Sequence, residues 1–197
     1  MTDQSVIKIM ISKRETNKDE KRALIIDTAL QLFSTEGYFG TSMSKIASTA
    51  GIAKGSTYNY FASKEDLLKA IINDGFKHLT ESVDYLFVNS MDDKSMEKYI
   101  RHSFKLIMDK PNYWRLFFAL AIQPSLPKYF MADIMQKMEP MFAKIAEYFA
   151  SKGFLNPMAQ VMLFVSTLDG VSISYLTEPE NYPIYDICEI LVERYCK

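Results

Sequence analysis

Residues 41–68 read TSMSKIASTAGIAKGSTYNYFASKEDLL and contain the clearest fold signals in the chain. Thr41 or Ser42 can cap a short helix, because both side chains accept hydrogen bonds from backbone amides in the first helical turn. Gly51 ends that helix, since glycine readily adopts the backbone conformation of a helix end. Residues 54–60 then predict a further helix of one to two turns. The spacing is typical of a helix-turn-helix.

The second helix of this pair has few apolar side chains to bury, so its polar side chains should face outward. They are Lys54, Ser56, Thr57, Tyr58 and Tyr60. In a helix-turn-helix at about residues 41–60, these side chains would enter the major groove of DNA. A simple helical corner of a soluble protein fits the same composition equally well.

Helical periodicity continues along nearly the whole chain, and strand signals are nearly absent. We predict an all-α chain of about nine helices, in which a three-helix N-terminal part is joined by a long helix to a helical C-terminal part. The expected helices cover about residues 18–36, 41–50, 54–60, 63–87, 95–110, 112–122, 126–151, with a kink at Pro140, 157–176 and a last segment ending near Tyr195.

The composition is that of an ordinary globular protein, with 48% hydrophobic and 24% charged residues. Cys188 and Cys196 have the spacing of neither a disulfide framework nor a zinc site. The apolar N-terminal residues are interrupted by Lys8 and are too few for a signal peptide or a membrane span. We therefore expect a cytoplasmic protein with no membrane association, no metal and no cofactor.

The charge is distributed unevenly along the chain. Residues 1–64 hold nine Lys and Arg against six Asp and Glu, whereas the remainder holds 14 against 18. This asymmetry favours contact with phosphates at the N-terminal end. Lys8, Lys13 and Arg14 lie in an expected extension, residues 1–17, that could be a basic arm along the minor groove or a disordered tail. The tail is the simpler expectation.

The string at 41–68, together with ALQLFSTEGYFG at 29–40, closely resembles the TetR family of bacterial transcription regulators. The resemblance covers about residues 20–70. It implies a helix-turn-helix DNA-binding domain at 18–66 and a helical domain for ligand sensing and dimerisation at 67–197. It also implies a repressor that binds palindromic double-stranded operator DNA as a homodimer.

The resemblance further implies a role for each polar position of the motif. Thr41 and Ser42 would hold backbone phosphates, and Lys54 would reach a base edge or a phosphate. Tyr60 and Lys64 would act as phosphate clamps.

Four more positions complete this implied interface. Gly55 would permit close approach of the backbone to DNA, and Ser56 and Thr57 would contact bases or phosphates. Tyr58 would pack its ring near a thymine methyl group or a sugar, with its hydroxyl on a phosphate.

The middle of the chain is unusually rich in aromatic and methionine side chains, which suit apolar ligands. Most of them must belong to the ordinary core. We expect a small, largely hydrophobic effector to bind among Trp114, Phe117, Phe118, Met138 and Phe142.

The last two long helices suit dimerisation, and in the family the equivalent helices form a four-helix bundle with a partner. The alternative is that they only close the core of the monomer. The predicted interface residues are Val161, Phe164, Val165, Leu168, Val171, Ile187 and Leu191.

Other classes of protein fit less well. An enzyme is disfavoured because the chain has only two histidines, no nucleophile motif, no glycine-rich phosphate loop and no metal-ligand spacing. The Asp169-Gly170 pair is better explained by close helix packing than by catalysis. A helical protein-interaction module without DNA binding stays open as an alternative, as does an activator or a regulator without a ligand.

Overall fold

The computed structural model describes the backbone of residues 3–83, 90–123 and 128–196, and the side chains at 17–75, 77, 90–123 and 132–196. Within those ranges all regular structure is helical, which confirms the all-α prediction. The expected helical residues 84–87 and 126–127 lie outside the described residues. The helices are α1 Asp3–Glu36, α2 Met43–Thr49, α3 Lys54–Thr57, α4 Lys64–Val83, α5 Asp93–Asp109, α6 Pro111–Ala121, α7 Lys128–Ser151, α8 Pro157–Thr177 and α9 Ile184–Tyr195.

The chain forms two compact units, Met1–Asp74 and Gly75–Lys197. The division falls inside α4, whereas the sequence placed the domain boundary at residues 66 and 67. Helix α4 is continuous across the division, so it contributes residues to both units.

In the N-terminal unit, α2 packs against both α1 and α3. Positive φ angles at Gly37 (83°) and Gly51 (66°) turn the chain after α1 and α2, as the helix-end signals predicted. The core consists of apolar side chains from α1, α2 and α4, including Ile25, Phe33, Ile46, Leu67, Leu68 and Ile71.

Helix α1 begins at Asp3 rather than near Lys18. No proline or glycine occurs between Asp3 and Glu36, so nothing in that stretch prevents the helix from extending toward the N-terminus. The expected disordered tail is therefore replaced by helix from Asp3 onward. The side chains of Lys8, Lys13 and Arg14, proposed for a basic arm, lie outside the described residues.

In the C-terminal unit, α7 packs along α8, α5 along α9, and both α5 and α6 contact α8. Polar contacts join these helices at the surface: the guanidinium of Arg101 on α5 forms two hydrogen bonds to the carboxylate of Glu189 on α9. The Tyr148 hydroxyl lies 2.8 Å from an Asp93 carboxylate oxygen and 2.6 Å from the Tyr195 carbonyl oxygen. These contacts fix the framework that holds the aromatic residues of α5, α6 and α7.

The structure places four of the seven predicted dimer residues inside the core of this unit. Val161, Phe164, Leu168 and Leu191 are all buried within the chain itself, where a second copy cannot reach them. Three others are half-buried, namely Val165, Val171 and Ile187. The faces of α8 and α9 that point away from the core carry different apolar side chains, Met158, Met162, Leu163, Ile173, Tyr185 and Ile190, all exposed.

Candidate nucleic-acid interface and apolar cavity

The α2–turn–α3 segment is built by local hydrogen bonds that its sequence dictates. The Ser42 hydroxyl accepts a bond of 3.1 Å from the Lys45 amide, so Ser42 rather than Thr41 caps α2. After the turn, the Ile52 amide donates to the Ala47 carbonyl at 2.9 Å. These bonds fix the direction in which α3 leaves the turn.

Helix α3 presents a polar surface. Lys54, Gly55 and Tyr58 are exposed, and Ser56 and Tyr60 are half-buried. A Cβ atom added at Gly55 would meet nothing within 4 Å. Because the chain itself does not need glycine there, the open space is available to an external partner that approaches the backbone closely.

Two hydroxyls predicted to meet DNA are instead used inside the chain. Thr41 is 1% exposed, and its hydroxyl donates to the Gly37 carbonyl at 2.9 Å. Thr57 is fully buried, and its hydroxyl donates to the Lys54 carbonyl at 2.6 Å. The predicted phosphate and base contacts of these side chains are therefore replaced by structural roles, because neither hydroxyl reaches the surface.

Lys64 was predicted to clamp a phosphate, but its ammonium is engaged with the loop between α1 and α2. It donates to the carbonyls of Tyr38 and Thr41, both at 2.9 Å, and lies 4.4 Å from the centre of the Tyr38 ring. Partial burial lowers the pKa of Lys64. The structure therefore gives Lys64 the role of joining α4 to that loop.

Sequence reasoning missed two side chains beside this surface. Phe39 is 52% exposed, and Lys45 on α2 is exposed and forms an ion pair with Glu36. The remaining predicted contact, Ser42, is exposed, and its hydroxyl hydrogen stays available to donate because the capping bond uses only the oxygen. A bulky aromatic residue just before the cap was a signal that could have drawn attention to Phe39.

The C-terminal unit contains an apolar cavity of about 180 Å³ between α5, α6, α7 and α8. All five residues predicted to contact an effector line it: Trp114, Phe117, Phe118, Met138 and Phe142. The rings of α6 pack on one another, with centroids of Trp114 and Phe117 5.6 Å apart at 76° and those of Trp114 and Phe118 6.0 Å apart. The Trp114 indole N–H donates to the Leu106 carbonyl at 3.2 Å, which holds the ring in place.

Polar groups that the sequence analysis did not assign to an effector site also line this cavity. They are Tyr99, Ser103, Asp169 and Ser172. The hydroxyls of Ser103 and Ser172 donate to carbonyls one turn earlier in their own helices. Desolvation raises the pKa of Tyr99 to about 12 and that of Asp169 to about 6. Asp169 had been explained by close helix packing at Gly170, but Gly170 is exposed and has nothing within 4 Å of an added Cβ.

Two further properties bear on the class of protein. The described residues include no group of His, Cys, Asp and Glu that could hold a metal ion. In the same residues one helix, α8, is long and apolar enough to cross a membrane, with mean hydropathy 1.3. Because α8 packs against three other helices of its unit, a core helix with one uncovered face accounts for that composition.

Residues 25–71 match the family model described as bacterial regulatory proteins, tetR family. The negative regulator IcaR of the biofilm operon icaADBC from Staphylococcus epidermidis is 32% identical over 101 residues, which are 51% of this chain and 53% of that protein. The transcriptional regulator AcrR from Shigella flexneri is 40% identical over 62 residues, or 32% of this chain and 29% of that protein. The chain thus matches about half or less of the length of these relatives.

Solved structures resemble the chain over nearly its whole length. The MbdR regulator from Azoarcus sp. CIB has a TM-score of 0.76 at 20% identity and covers 90% of this chain and 97% of its own. The fatty acid degradation regulator FadR from Bacillus halodurans has a TM-score of 0.73 at 20% identity, covering 89% and 94%. Residues 25–71, which include the helix-turn-helix, are thus similar to the tetR family of bacterial regulatory proteins, and the chain shares the fold of these solved regulators.

Proposed function

We propose that this protein is a sequence-specific DNA-binding transcription regulator, a repressor that a small ligand releases from a palindromic operator. The observation that carries the proposal is the exposed surface of α3, where Lys54 and Tyr58 flank the open space at Gly55. The surface belongs to the segment that matches the family model. We assign base contacts to Lys54 and Ser56, and phosphate or sugar contacts to Ser42, Tyr58 and Tyr60.

A single helix-turn-helix reads only a few base pairs, so specific binding needs two copies. We propose that a homodimer forms through the exposed apolar faces of α8 and α9. Contiguous exposed apolar side chains of this kind mark interaction surfaces. Gly170, which is exposed on α8, leaves room for a partner helix to approach closely. The residues of this proposed dimer face are Met162, Leu163, Ile173, Tyr185 and Ile190.

We further propose that the cavity between α5, α6, α7 and α8 binds the effector. A ligand that fits against α6 would bias the position of α4, which runs without interruption from the motif into the C-terminal unit. The ligand must favour the state that does not bind DNA, since equal affinity for both states shifts nothing. A hundredfold preference corresponds to about 2.7 kcal/mol, and operator DNA must weaken ligand binding by the same factor.

The named relatives are transcription regulators, and we propose that this chain likewise acts in the cytoplasm without catalysing a reaction. A repressor must reach chromosomal DNA, and the free thiols of Cys188 and Cys196 fit a reducing compartment.

Binding to the DNA upstream of its own gene tests the proposal. We expect saturable binding of the full chain by fluorescence anisotropy, with an affinity that falls steeply as salt rises, by a log–log slope of about 0.9 for each phosphate neutralised by a cation. Lys54→Ala should relax the preference for particular base pairs, whereas Lys152→Ala, in the other unit, should leave that preference unchanged. Equal affinity for random DNA at moderate salt would refute specific binding.

A further inference from the structure

The cavity of the C-terminal unit contains one formal charge among the described residues that line it. That charge is the carboxylate of Asp169 on α8, and the other lining side chains are apolar, aromatic or hydroxyl-bearing. Asp169 is itself exposed, so its carboxylate keeps contact with solvent while it borders the cavity. Partial desolvation raises its pKa to about 6.

No side chain of the described residues pairs with this carboxylate. Other carboxylates of the same unit are paired: Glu189 with Arg101, and Asp93 with Lys152 and Tyr148. In the described part of the chain Asp169 has neither an ion-pair partner nor a hydrogen-bond donor. The groups that face it from the neighbouring helices are uncharged at neutral pH, including Tyr99 of α5 and the rings of α6.

The aromatic rings that line the cavity are a second feature that favours a positively charged ligand. Trp114, Phe117 and Phe118 pack edge to face or tilted, so that ring faces as well as edges border the space. The face of an aromatic ring carries partial negative charge and attracts cations, most strongly in the case of Trp. An unpaired carboxylate and several aromatic faces that border the same cavity both favour a positive charge.

We propose that the cavity binds a small organic cation, an ammonium group attached to a compact aromatic or branched apolar body, with Asp169 as its counter-ion. The inference rests on the proposed function of the cavity as an effector site and names the class of ligand for it. A volume of about 180 Å³ suits a body of about one aromatic ring, since a cavity of about 150 Å³ holds benzene. The ammonium would pair with Asp169, and the body would pack against α6 and Met138.

Three compounds of nearly equal shape test the charge preference directly. They are benzyltrimethylammonium, neopentylbenzene, in which carbon replaces the nitrogen, and benzylsulfonate, which is negative. Trp114 is the only tryptophan of the chain and lines the cavity, so its fluorescence reports binding independently of DNA. We expect the cation to bind the full-length protein at least tenfold more tightly than either of the other two compounds.

Two substitutions and a control assign that preference to Asp169. Asp169→Asn keeps the shape and removes the charge, so the preference for the cation over neopentylbenzene should fall to the smaller part that the aromatic faces supply. Asp169→Glu keeps the charge and should retain most of the preference for the cation. Asp186→Asn removes an exposed carboxylate of α9 outside the cavity and should change nothing. Circular dichroism checks that each variant is folded.

The outcomes separate this inference from the function on which it rests. If neopentylbenzene or benzylsulfonate binds as tightly as the cation, the proposed ligand class is wrong. If Asp169→Asn keeps the full cation preference, Asp169 is not the counter-ion and the proposed site is wrong. The effector site itself would then still stand, provided that the bound compound lowers operator affinity. If none of the three compounds changes Trp114 fluorescence, the cation site is refuted, and if no compound of any charge alters operator binding, the effector function fails as well.

Discussion

Lys64 lies in the first turn of α4, and its ammonium donates to the carbonyls of Tyr38 and Thr41. Lys64→Ala would remove these charged hydrogen bonds, and we expect it to lower the free energy of unfolding by about 1–2 kcal/mol. Lys54→Ala is the matched comparison, because Lys54 is exposed on α3. It should weaken DNA binding without changing stability. Urea denaturation measures the free energy of unfolding of both variants. An unchanged midpoint for Lys64→Ala would mean that Lys64 does not stabilise the fold, and would favour a direct contact of Lys64 with phosphate.

Asp169 gives a prediction about stability and pH. Its pKa in the folded protein is about 6, above the ordinary value of 3.8, so the folded state holds its proton more strongly than the unfolded state does. The protonated Asp169 therefore contributes to the free energy of unfolding fully below pH 3.8, and this contribution is lost as the pH rises through 6. Asp169→Asn should therefore raise the melting temperature at pH 7.5 and have a smaller effect at pH 4.5. A lower melting temperature of the variant at pH 7.5 would mean that the carboxylate is already paired.

The same residues illustrate what a sequence can and cannot predict at this scale. The cap at Ser42 and the turns at Gly37 and Gly51 depend on neighbours within a few positions, so local patterns predict them. The contacts of Lys64 were not predicted, because the carbonyls that it bonds lie 23 and 26 residues earlier in the chain. Thr57 was misassigned because its burial depends on packing that periodicity in a four-residue helix does not indicate.

At the scale of the helices, Gly75 of α4 lies directly against Tyr113 of α6. A Cβ atom at Gly75 would lie 1.9 Å from Cε2 of Tyr113, whose ring is buried and packs 5.3 Å from that of Trp114. Gly75→Ala should therefore displace Tyr113 and the rings beside the cavity. We expect a change in Trp114 fluorescence and weaker ligand binding in this variant.

Lys98→Ala is the control for that substitution, since Lys98 is exposed on α5 and does not line the cavity. It should leave Trp114 fluorescence as in the wild type. Equal spectra for wild type and Gly75→Ala would show that α4 can yield without disturbing α6, and the proposed coupling between the motif and the cavity would lose its physical basis.

The sequence predicted helix α8 itself but not which of its faces is buried. Apolar residues lie on most of its circumference: Val161 and Phe164 are buried, whereas Met162 and Leu163 are exposed. A helix that is apolar nearly all round carries no sequence signal for the side that faces its own core. The predicted dimer residues therefore fell mainly on the core face. Only the packing of α5, α6 and α7 against α8 distinguishes its buried face from its exposed face.

At the scale of the whole molecule, specific operator binding needs two copies of this chain. A charge on the proposed dimer face should prevent association, because an unpaired charge in an apolar interface is costly. We expect Leu163→Glu combined with Ile190→Glu to be a folded monomer by light scattering, with operator affinity reduced by at least tenfold. Glu180→Gln, in an exposed loop, is the control. A double variant that remains a dimer with full operator affinity would place the interface elsewhere.

We expect the α3 surface to read DNA sequence in a two-fold arrangement. The most direct test is selection of bound DNA from a fully randomised library by the purified full-length protein at moderate salt. The selected DNA should be enriched in an inverted repeat whose half-sites lie about one helical turn, roughly 34 Å, apart. That enrichment should be lost in the variant Lys54→Ala with Tyr58→Ala. Recovery of no common sequence, or of the same sequence with that variant, would contradict this expectation.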